Sequence, residues 1–244
     1  MSTAADRFLA NLGAVLMMPT GEPEGAMAKR PTKQSPQSED ATRSARKHRA
    51  IIEAATEVFL SSGYLGTNMD EIAALSAVSK QTVYKYFASK EALFVEIVSS
   101  MTRQAGDEVH DEMPAFVTGS DVGEYLTAYA YRQLSIVLTP ELMQLRRLVI
   151  GEVGRFPDLA RALYEGGPRR AIGMLADLFA RLTADGLLAV DDPVTAATQF
   201  NWLVMSAPLN QAMLLGDAGI PKPADLRRHA AESVRVFLKA YGKR

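Results

Sequence analysis

The most constraining feature of this chain is a stretch from Arg46 to Glu96 that has the pattern of three short helices separated by tight stops. Apolar residues recur at helical spacing in the first helix, which stops at Gly63 after two serines. Two shorter segments with the same spacing follow, and the last is rich in hydroxyl groups and lysine. The pattern predicts a compact three-helix unit that presents its final, polar helix at the surface.

Capping signals place the later helices of this unit. Thr67 followed by Asp70 fits a capping box and predicts the start of the second helix. After a short turn at 76–78, Ser79 caps the third helix, and Ser89 caps the helix that leads into the rest of the chain. The third helix is predicted to bury Val83 and Phe87 and to expose Lys80, Gln81, Thr82 and Lys85. A short helix, a tight turn and a short polar helix make a helix-turn-helix, which places its second helix in the major groove of DNA.

The exposed side chains of the third helix suit this task. We predict that Lys80 and Gln81 read base edges, because glutamine can form paired hydrogen bonds with adenine. Flanking hydroxyls and charges are expected to hold phosphates and sugars rather than to specify sequence. These flanking residues are Thr67, Ser79, Tyr84, Tyr86 and Lys90. Two alternatives remain open, namely that Tyr84 is mainly a core residue and that Lys85 lies on a solvated face.

A basic segment precedes the three helices. From Lys29 to Arg49 the chain has seven basic and two acidic residues, a net charge of +5, whereas the whole chain has a net charge of −1. Arg43, Arg46 and Lys47 are predicted to follow the DNA backbone or to enter an adjacent minor groove. The alternative is a solubilising tail that makes no ordered contact with DNA.

The rest of the chain predicts helices only, so the fold class is all-α. We expect a disordered N-terminal extension and basic arm at residues 1–42, a helix-turn-helix domain at 43–100, and a larger helical domain for ligand binding and dimerisation at 101–244. Pro208 is expected to kink or split one helix. Beyond residue 104 the predicted helices are Val122–Leu138, Glu141–Val153, Pro157–Glu165, Pro168–Asp185, Pro193–Leu215 and Ala224–Tyr241.

Composition excludes several classes of protein. Cysteine is absent, which removes disulfides and thiolate chemistry and fits a cytoplasmic location. No apolar run is long enough to span a membrane, so no membrane partner is expected. Residues 8–18 resemble the apolar part of a signal peptide but lack its flanks. The alternatives are a loose amphipathic extension or a start codon placed ahead of Met27.

The stretch SAVSKQTVYKYFASKEALF at 76–94, preceded by AATEVFLSSGYLGTNMDEIA at 54–73, resembles the DNA-binding domain of the TetR/AcrR family of bacterial transcriptional regulators. Residues 146–170 and 185–200 more loosely resemble the AefR-like subgroup. Many members have glycine where this chain has Ala77, and a left-handed conformation there would cost alanine about 1 kcal/mol. Many also have glycine at the position of Gln81, which makes this residue a candidate specificity determinant.

The resemblance implies a homodimer on double-stranded operator DNA, released by a small-molecule effector of unknown identity. Two recognition helices must lie about 34 Å apart, or a small multiple of it, to reach successive turns of one groove. The last two helices are the expected interface, although many of their apolar residues are alternatively intrachain core. The apolar interface candidates are Phe200, Trp202, Leu203, Met205, Leu214, Leu215, Val234, Val236, Phe237 and Leu238.

The same resemblance implies an effector pocket inside the C-terminal domain. Aromatic residues and methionines suit an apolar or amphipathic ligand, and Arg146 lies at the margin of a buried stripe. Ordinary core packing is the alternative for each candidate. The candidate lining residues are Tyr125, Tyr129, Tyr131, Arg146, Phe156, Tyr164, Met174, Phe179, Trp202 and Met205.

Two other classes of function remain as alternatives. An enzyme is disfavoured because the three histidines are far apart and there is no cysteine and no glycine-rich phosphate loop. The acidic cluster at 107–112 is predicted to be a solvated face rather than a metal site, and no cofactor is expected. An architectural DNA-binding protein would use phosphate contacts without reading bases.

Overall fold

The structure, a computed structural model, describes residues 36–110 and 113–243, with side chains from Thr42 onward. The part of the chain described is built from helices, with one isolated bridge between Leu188 and Gly242. A π-helical turn occupies Glu165–Arg169 and a 3-10 turn occupies Asp217–Gly219. The α-helices are α1 (Pro36–Gly66), α2 (Met69–Leu75), α3 (Lys80–Tyr86), α4 (Lys90–His110), α5 (Val122–Val137), α6 (Pro140–Glu152), α7 (Pro157–Tyr164), α8 (Arg170–Ala184), α9 (Pro193–Leu215) and α10 (Pro223–Tyr241).

An aromatic stack connects the N-terminal helices with α4. The rings of Phe59 on α1 and Phe94 on α4 stack with their centroids 4.6 Å apart, and Tyr64 packs against both. Tyr64 reaches this position because Gly63 interrupts α1 with a φ of 70°, a backbone conformation that glycine adopts without steric cost. The stack fixes α4 against the three-helix unit.

The C-terminal core lies among α5, α8, α9 and α10. Its centre is a group of rings in which Phe200 of α9 contacts Phe179 of α8 and Phe237 of α10 at centroid distances of 5.5 and 5.0 Å. Leu126 and Leu134 of α5 are fully buried against the same core. These apolar faces recur every three or four residues, which is why each segment folds as a helix and buries one side.

The observed helices agree with the predicted segments, with three differences. Helix α1 already begins at Pro36, so the described end of the predicted disordered extension is helical; proline is tolerated in a first helical turn, and Gln37, Glu39 and Ala41 favour helix. The predicted features before residue 36, including the resemblance to a signal peptide and the alternative start at Met27, lie outside the described residues. Helices α7 and α8 are joined through the π-helical turn, which accommodates Pro168 without a break.

The third difference concerns Pro208, for which the sequence predicts a kinked or split helix. Helix α9 is not split there and continues across Pro208 over 23 residues. Proline lacks the N–H that would bond the carbonyl of residue 204. The Nε2 atom of His229 on α10 donates to that Val204 carbonyl at 2.8 Å and replaces the missing bond.

Candidate functional site

The turn between α2 and α3 has the geometry that the helix-turn-helix pattern predicts. Ala77 has a φ of 52°, the left-handed conformation that reverses the chain. Ser79 accepts a hydrogen bond of 3.1 Å from the Thr82 amide and caps α3, as predicted. Fully buried Ile72 and Val83 hold the two helices together. The predicted burial of Val83 and Phe87 is confirmed, and so is the Ser89 cap of α4, with its Oγ 3.0 Å from the Ala92 amide.

The outward face of α3 carries the side chains predicted to contact DNA. Gln81, Thr82, Tyr84 and Lys85 border one shallow, open depression. Tyr84 is 45% exposed, so it is not a core residue. The face offers amide, hydroxyl and ammonium groups, which together can donate to and accept from base edges and phosphates.

Lys80 lies beside this depression and is engaged by the preceding helix. Its Nζ is 2.9 Å from the Asp70 Oδ1, and the hydrogen bond and charge of this carboxylate raise the pKa of Lys80. Both side chains are exposed, so the pair is accessible to solvent and to an incoming polyanion.

Tyr86 joins the end of α3 to α1. Its hydroxyl lies 2.7 Å from the Ser44 Oγ and donates to the Ser44 carbonyl oxygen at 3.2 Å. This contact is within the basic segment: Arg43 and Arg46 are exposed on neighbouring positions of α1, and Lys47 is partly exposed. The three basic residues are therefore presented by a helix and not by a flexible arm.

Thr67 has a different local role from the one predicted. Its side chain is buried and its hydroxyl donates to the Gly63 carbonyl at 2.7 Å, which closes the end of α1. Asn68 caps α2 instead, because its side chain accepts from the Asp70 amide at 2.9 Å. The signal was present in the sequence, since asparagine is among the preferred N-cap residues and Glu71 follows it by three positions.

Lys90 is held by the protein itself. Its Nζ donates to the Thr67 carbonyl at 2.7 Å and to the Leu65 carbonyl at 3.4 Å, and it lies 4.8 Å from the centroid of the Tyr64 ring. Burial lowers the pKa of this amine. Since an ammonium group has three N–H donors, at most one is left for a phosphate.

A cavity opens in the C-terminal part of the molecule. Helix α4 forms one wall through Thr102, Ala105, Gly106, Val109 and His110, and the π-helical turn lies against it. Helix α4 thus contributes both to this cavity and to the core under the helix-turn-helix. The other lining residues are Gln133, Val137, Leu142, Arg146, Leu163, Gly166, Gly167, Pro168, Arg170, Ala171, Asn201, Trp202, Met205 and Leu209.

Three of the ten predicted pocket residues, Arg146, Trp202 and Met205, line this cavity. The other seven pack in the core or lie at the surface, outside this lining. Tyr129 and Phe179 belong to the core, Tyr125 packs against Phe116, Tyr131 lies under Arg227, Phe156 packs on Tyr64, Tyr164 is exposed, and Met174 is partly buried outside the lining.

Two polar cavity residues were not predicted. Gln133 and Asn201 are both buried, and the Gln133 Nε2 donates to the Asn201 Oδ1 at 2.8 Å. Each interrupts an apolar helix stripe, Gln133 between Ala130 and Val137 and Asn201 between Ala197 and Val204. A polar residue within an apolar stripe was the signal that could have identified them.

The predicted interface residues separate into two groups. Phe200, Met205, Val234 and Phe237 are buried in the chain's own core, and Leu203 and Leu238 are partly buried. Exposed apolar side chains remain on the last two helices: Trp202, Leu214, Leu215 and Val236.

The acidic cluster at 107–112 is described only as far as His110. Asp107 pairs with Arg170 at 2.5 Å, and Glu108 accepts from the Gln104 amide at 3.1 Å. No group of three potential metal ligands occurs within the described parts of the chain. Over the same residues, no helix combines the length and apolar character that crossing a membrane requires.

Both halves of the chain match families of known proteins. Residues 51–97 match the family model for bacterial regulatory proteins of the tetR family, and residues 124–243 match the model for the C-terminal domain of AefR-like transcriptional repressors. A solved structure described as a TetR-family transcriptional regulator from Mesorhizobium loti is 42% identical, with a TM-score of 0.78, over 82% of this chain and 98% of its own. The flavonoid-responsive regulator FrrA is 34% identical, with a TM-score of 0.68, over 82% of this chain and 99% of its own.

Curated relatives match over shorter lengths. The regulator RutR of Escherichia coli is 30% identical over 60% of this chain and 66% of its own length. The regulator YhgD of Bacillus subtilis is 31% identical over 44% of this chain and 59% of its own length. The matched part of the chain thus spans less than two thirds of these two relatives.

Proposed function

Because the chain belongs to the TetR family of bacterial transcriptional regulators, we propose that it is a sequence-specific repressor, released from its operator by a small molecule. Members of this family bind DNA and are not enzymes. The single observation that carries the proposal is the exposed polar face of α3, held from beneath by buried Val83 and Phe87. A cytoplasmic location follows from access to the chromosome.

We assign the DNA contacts as follows. Lys80 and Gln81 read base edges, and Thr82 and Lys85 border the same face. Tyr84, Tyr86 and Ser79 contact phosphates at its margins. Arg43, Arg46 and Lys47 contact the backbone or an adjacent minor groove from α1. Thr67 and Lys90 support this surface through their intrachain bonds, and Lys90 has at most one N–H for a phosphate.

A homodimer would provide the second recognition helix. The exposed apolar residues of α9 and α10 support this part of the proposal, because large apolar side chains at a surface favour burial against a partner. A four-helix arrangement of α9 and α10 with their copies would cover Leu214 and Leu215. Trp202 lies at the cavity lining and remains 44% exposed.

The effector would bind in the cavity lined by α4, α5, α6 and α9. Its walls are mostly apolar with a few polar groups, which is the usual character of a small-molecule site. Effector binding can change the position of α4, whose other half packs under the helix-turn-helix through Leu93 and Phe94. The name of FrrA, a regulator responsive to flavonoids, is consistent with an organic effector.

The decisive experiment selects bound fragments from genomic DNA and then measures binding to every single-base variant of the recovered site. For Gln81→Ala we expect a changed preference at one or two base pairs. The control Arg46→Ala removes an exposed charge assigned to the DNA backbone, so it should weaken binding to all variants similarly and reduce the salt dependence by about one charge. Recovery of fragments without a common site would instead support an architectural DNA-binding protein.

A further inference from the structure

The cavity wall carries positive charge without a matching negative charge. Among the described residues that line it, there are two arginines and one histidine and no aspartate or glutamate. Arg170 is balanced from outside the lining by Asp107, whose Oδ1 lies 2.5 Å from the guanidinium. His110 lies with its Nδ1 3.2 Å from the Tyr129 hydroxyl. These contacts give partners to Arg170 and His110 but not to Arg146.

Arg146 projects from α6, between the buried residues Leu145 and Val149. It is partly buried, and within the described residues no carboxylate, carbonyl or ring is paired with its guanidinium. Burial lowers the pKa of this group, because removing a charge from water without a partner is unfavourable. A guanidinium nevertheless stays protonated near neutral pH. An anion bound in the cavity would recover the lost solvation.

A second unsatisfied group belongs to Gln133, a residue of the cavity lining. The Oε1 atom of Gln133 is buried and accepts no hydrogen bond within the described structure, although the Nε2 of the same amide is bonded to Asn201. A buried acceptor without a donor is energetically unfavourable. The cavity thus offers one place for a negative group, beside Arg146, set in walls of Val137, Leu142, Met205 and Leu209.

We propose that the effector is an apolar carboxylic acid, whose carboxylate pairs with Arg146 and whose hydrocarbon body lies against the apolar walls. This inference rests on the proposed function, since it names the ligand class of the same cavity. A neutral hydrocarbon would bury Arg146 further without a partner. Among the described lining residues, a phosphate dianion would find in Arg146 a single unpaired positive charge, too little to match its own two negative charges.

The test uses straight-chain carboxylates from hexanoate to dodecanoate, each with its uncharged primary amide. The single tryptophan of the chain, Trp202, lines the cavity, and these probes do not absorb where it does, so its fluorescence reports binding without any DNA. We expect at least one acid to bind roughly 10- to 100-fold more tightly than its amide. Arg146→Met should abolish that preference and leave amide binding intact, whereas Arg146→Lys should retain most of it.

Binding of the amide by Arg146→Met also shows that this variant is folded. If Arg146→Met does not fold, Arg146→Lys still tests whether the positive charge is responsible for the preference. Equal affinities of acid and amide, a preference for amides, or no saturable binding of any acid would overturn the inference. Release of a genomic operator is measured separately. If acids bind through Arg146 but never release DNA, the repressor proposal fails and the ligand class stands. If a cell extract releases DNA while acids show no charge preference, the ligand class fails and the repressor proposal stands.

Discussion

The Nε2 atom of His229 donates a 2.8 Å hydrogen bond to the carbonyl oxygen of Val204, four residues before Pro208. An imidazole on α10 therefore satisfies the acceptor that a proline leaves unpaired in the middle of α9. The bond joins the two C-terminal helices at a point where α9 would otherwise be weakest.

His229→Leu should lower the free energy of unfolding by about 1–3 kcal/mol, because it leaves a buried carbonyl without a donor. In a Pro208→Ala background the same substitution should cost clearly less, since an alanine in place of the proline supplies its own N–H to the carbonyl. Chemical denaturation of the four proteins of this double-mutant cycle measures the coupling. Strict additivity of the two substitutions would contradict the explanation.

Asp70→Asn should increase affinity for DNA of any sequence, because it removes the α2 carboxylate that pairs with Lys80 of the recognition helix. We expect a several-fold gain and a salt dependence steeper by about one charge, measured by fluorescence anisotropy at several salt concentrations. Glu71→Gln is the matched control, since it removes the same charge from α2 without releasing Lys80. Similar gains for both variants would show that the Lys80 pair is irrelevant.

Ala77→Gly should stabilise the protein by about 0.5–1 kcal/mol. The left-handed φ of 52° costs a residue with a Cβ about 1–2 kcal/mol, which exceeds the entropy of roughly 0.5–1 kcal/mol that glycine loses on folding. The control Ala74→Gly, at an exposed position in the last turn of α2, should destabilise by no more than about that entropy. Thermal melts of both variants decide the sign.

The Gln133–Asn201 pair should respond very differently to single and double replacement. Asn201→Leu leaves both polar atoms of the Gln133 amide without partners and should cost about 1–3 kcal/mol. Replacing both residues with leucine should be close to neutral or stabilising, because neither of these two positions then carries a buried polar group. A double replacement that is less stable than Asn201→Leu would refute this account.

Leu214→Glu should shift the protein from dimer to monomer in analytical ultracentrifugation at micromolar concentration. Leu214 is 75% exposed at the end of α9, so the substitution should not affect the folding of one chain. The control Ile150→Glu changes an exposed apolar residue of α6, away from the expected interface. A variant at Leu214 that remains dimeric would place the interface elsewhere.

Local patterns predicted much of the N-terminal half. The caps at Ser79 and Ser89 and the buried positions Val83 and Phe87 depend on residues a few positions apart. Asn68 was missed although its cap is equally local, because Thr67 offered a competing signal one residue earlier.

The cavity could not be predicted in the same way. Which aromatic residues line it depends on how α5, α8, α9 and α10 meet, and their rings pack with one another rather than around the cavity. The partner of Pro208 is a histidine 21 positions later, which no helical period connects to it. Sequence periodicity shows which face of a helix is buried, but it does not show which other helix packs against that face.

Helix α4 has 21 residues, so it is about 31 Å long and behaves as a stiff rod between the cavity and the helix-turn-helix. By that length, a tilt of about 5° at one end displaces the other end by about 3 Å, close to the spacing of base pairs along DNA. Because a small tilt of α4 produces a displacement of this size at its far end, a ligand would not need to reshape the C-terminal domain. In the proposed repressor, a displacement of about 1 Å in the cavity wall near Thr102 would be enough for two recognition helices to lose register with successive turns of the groove.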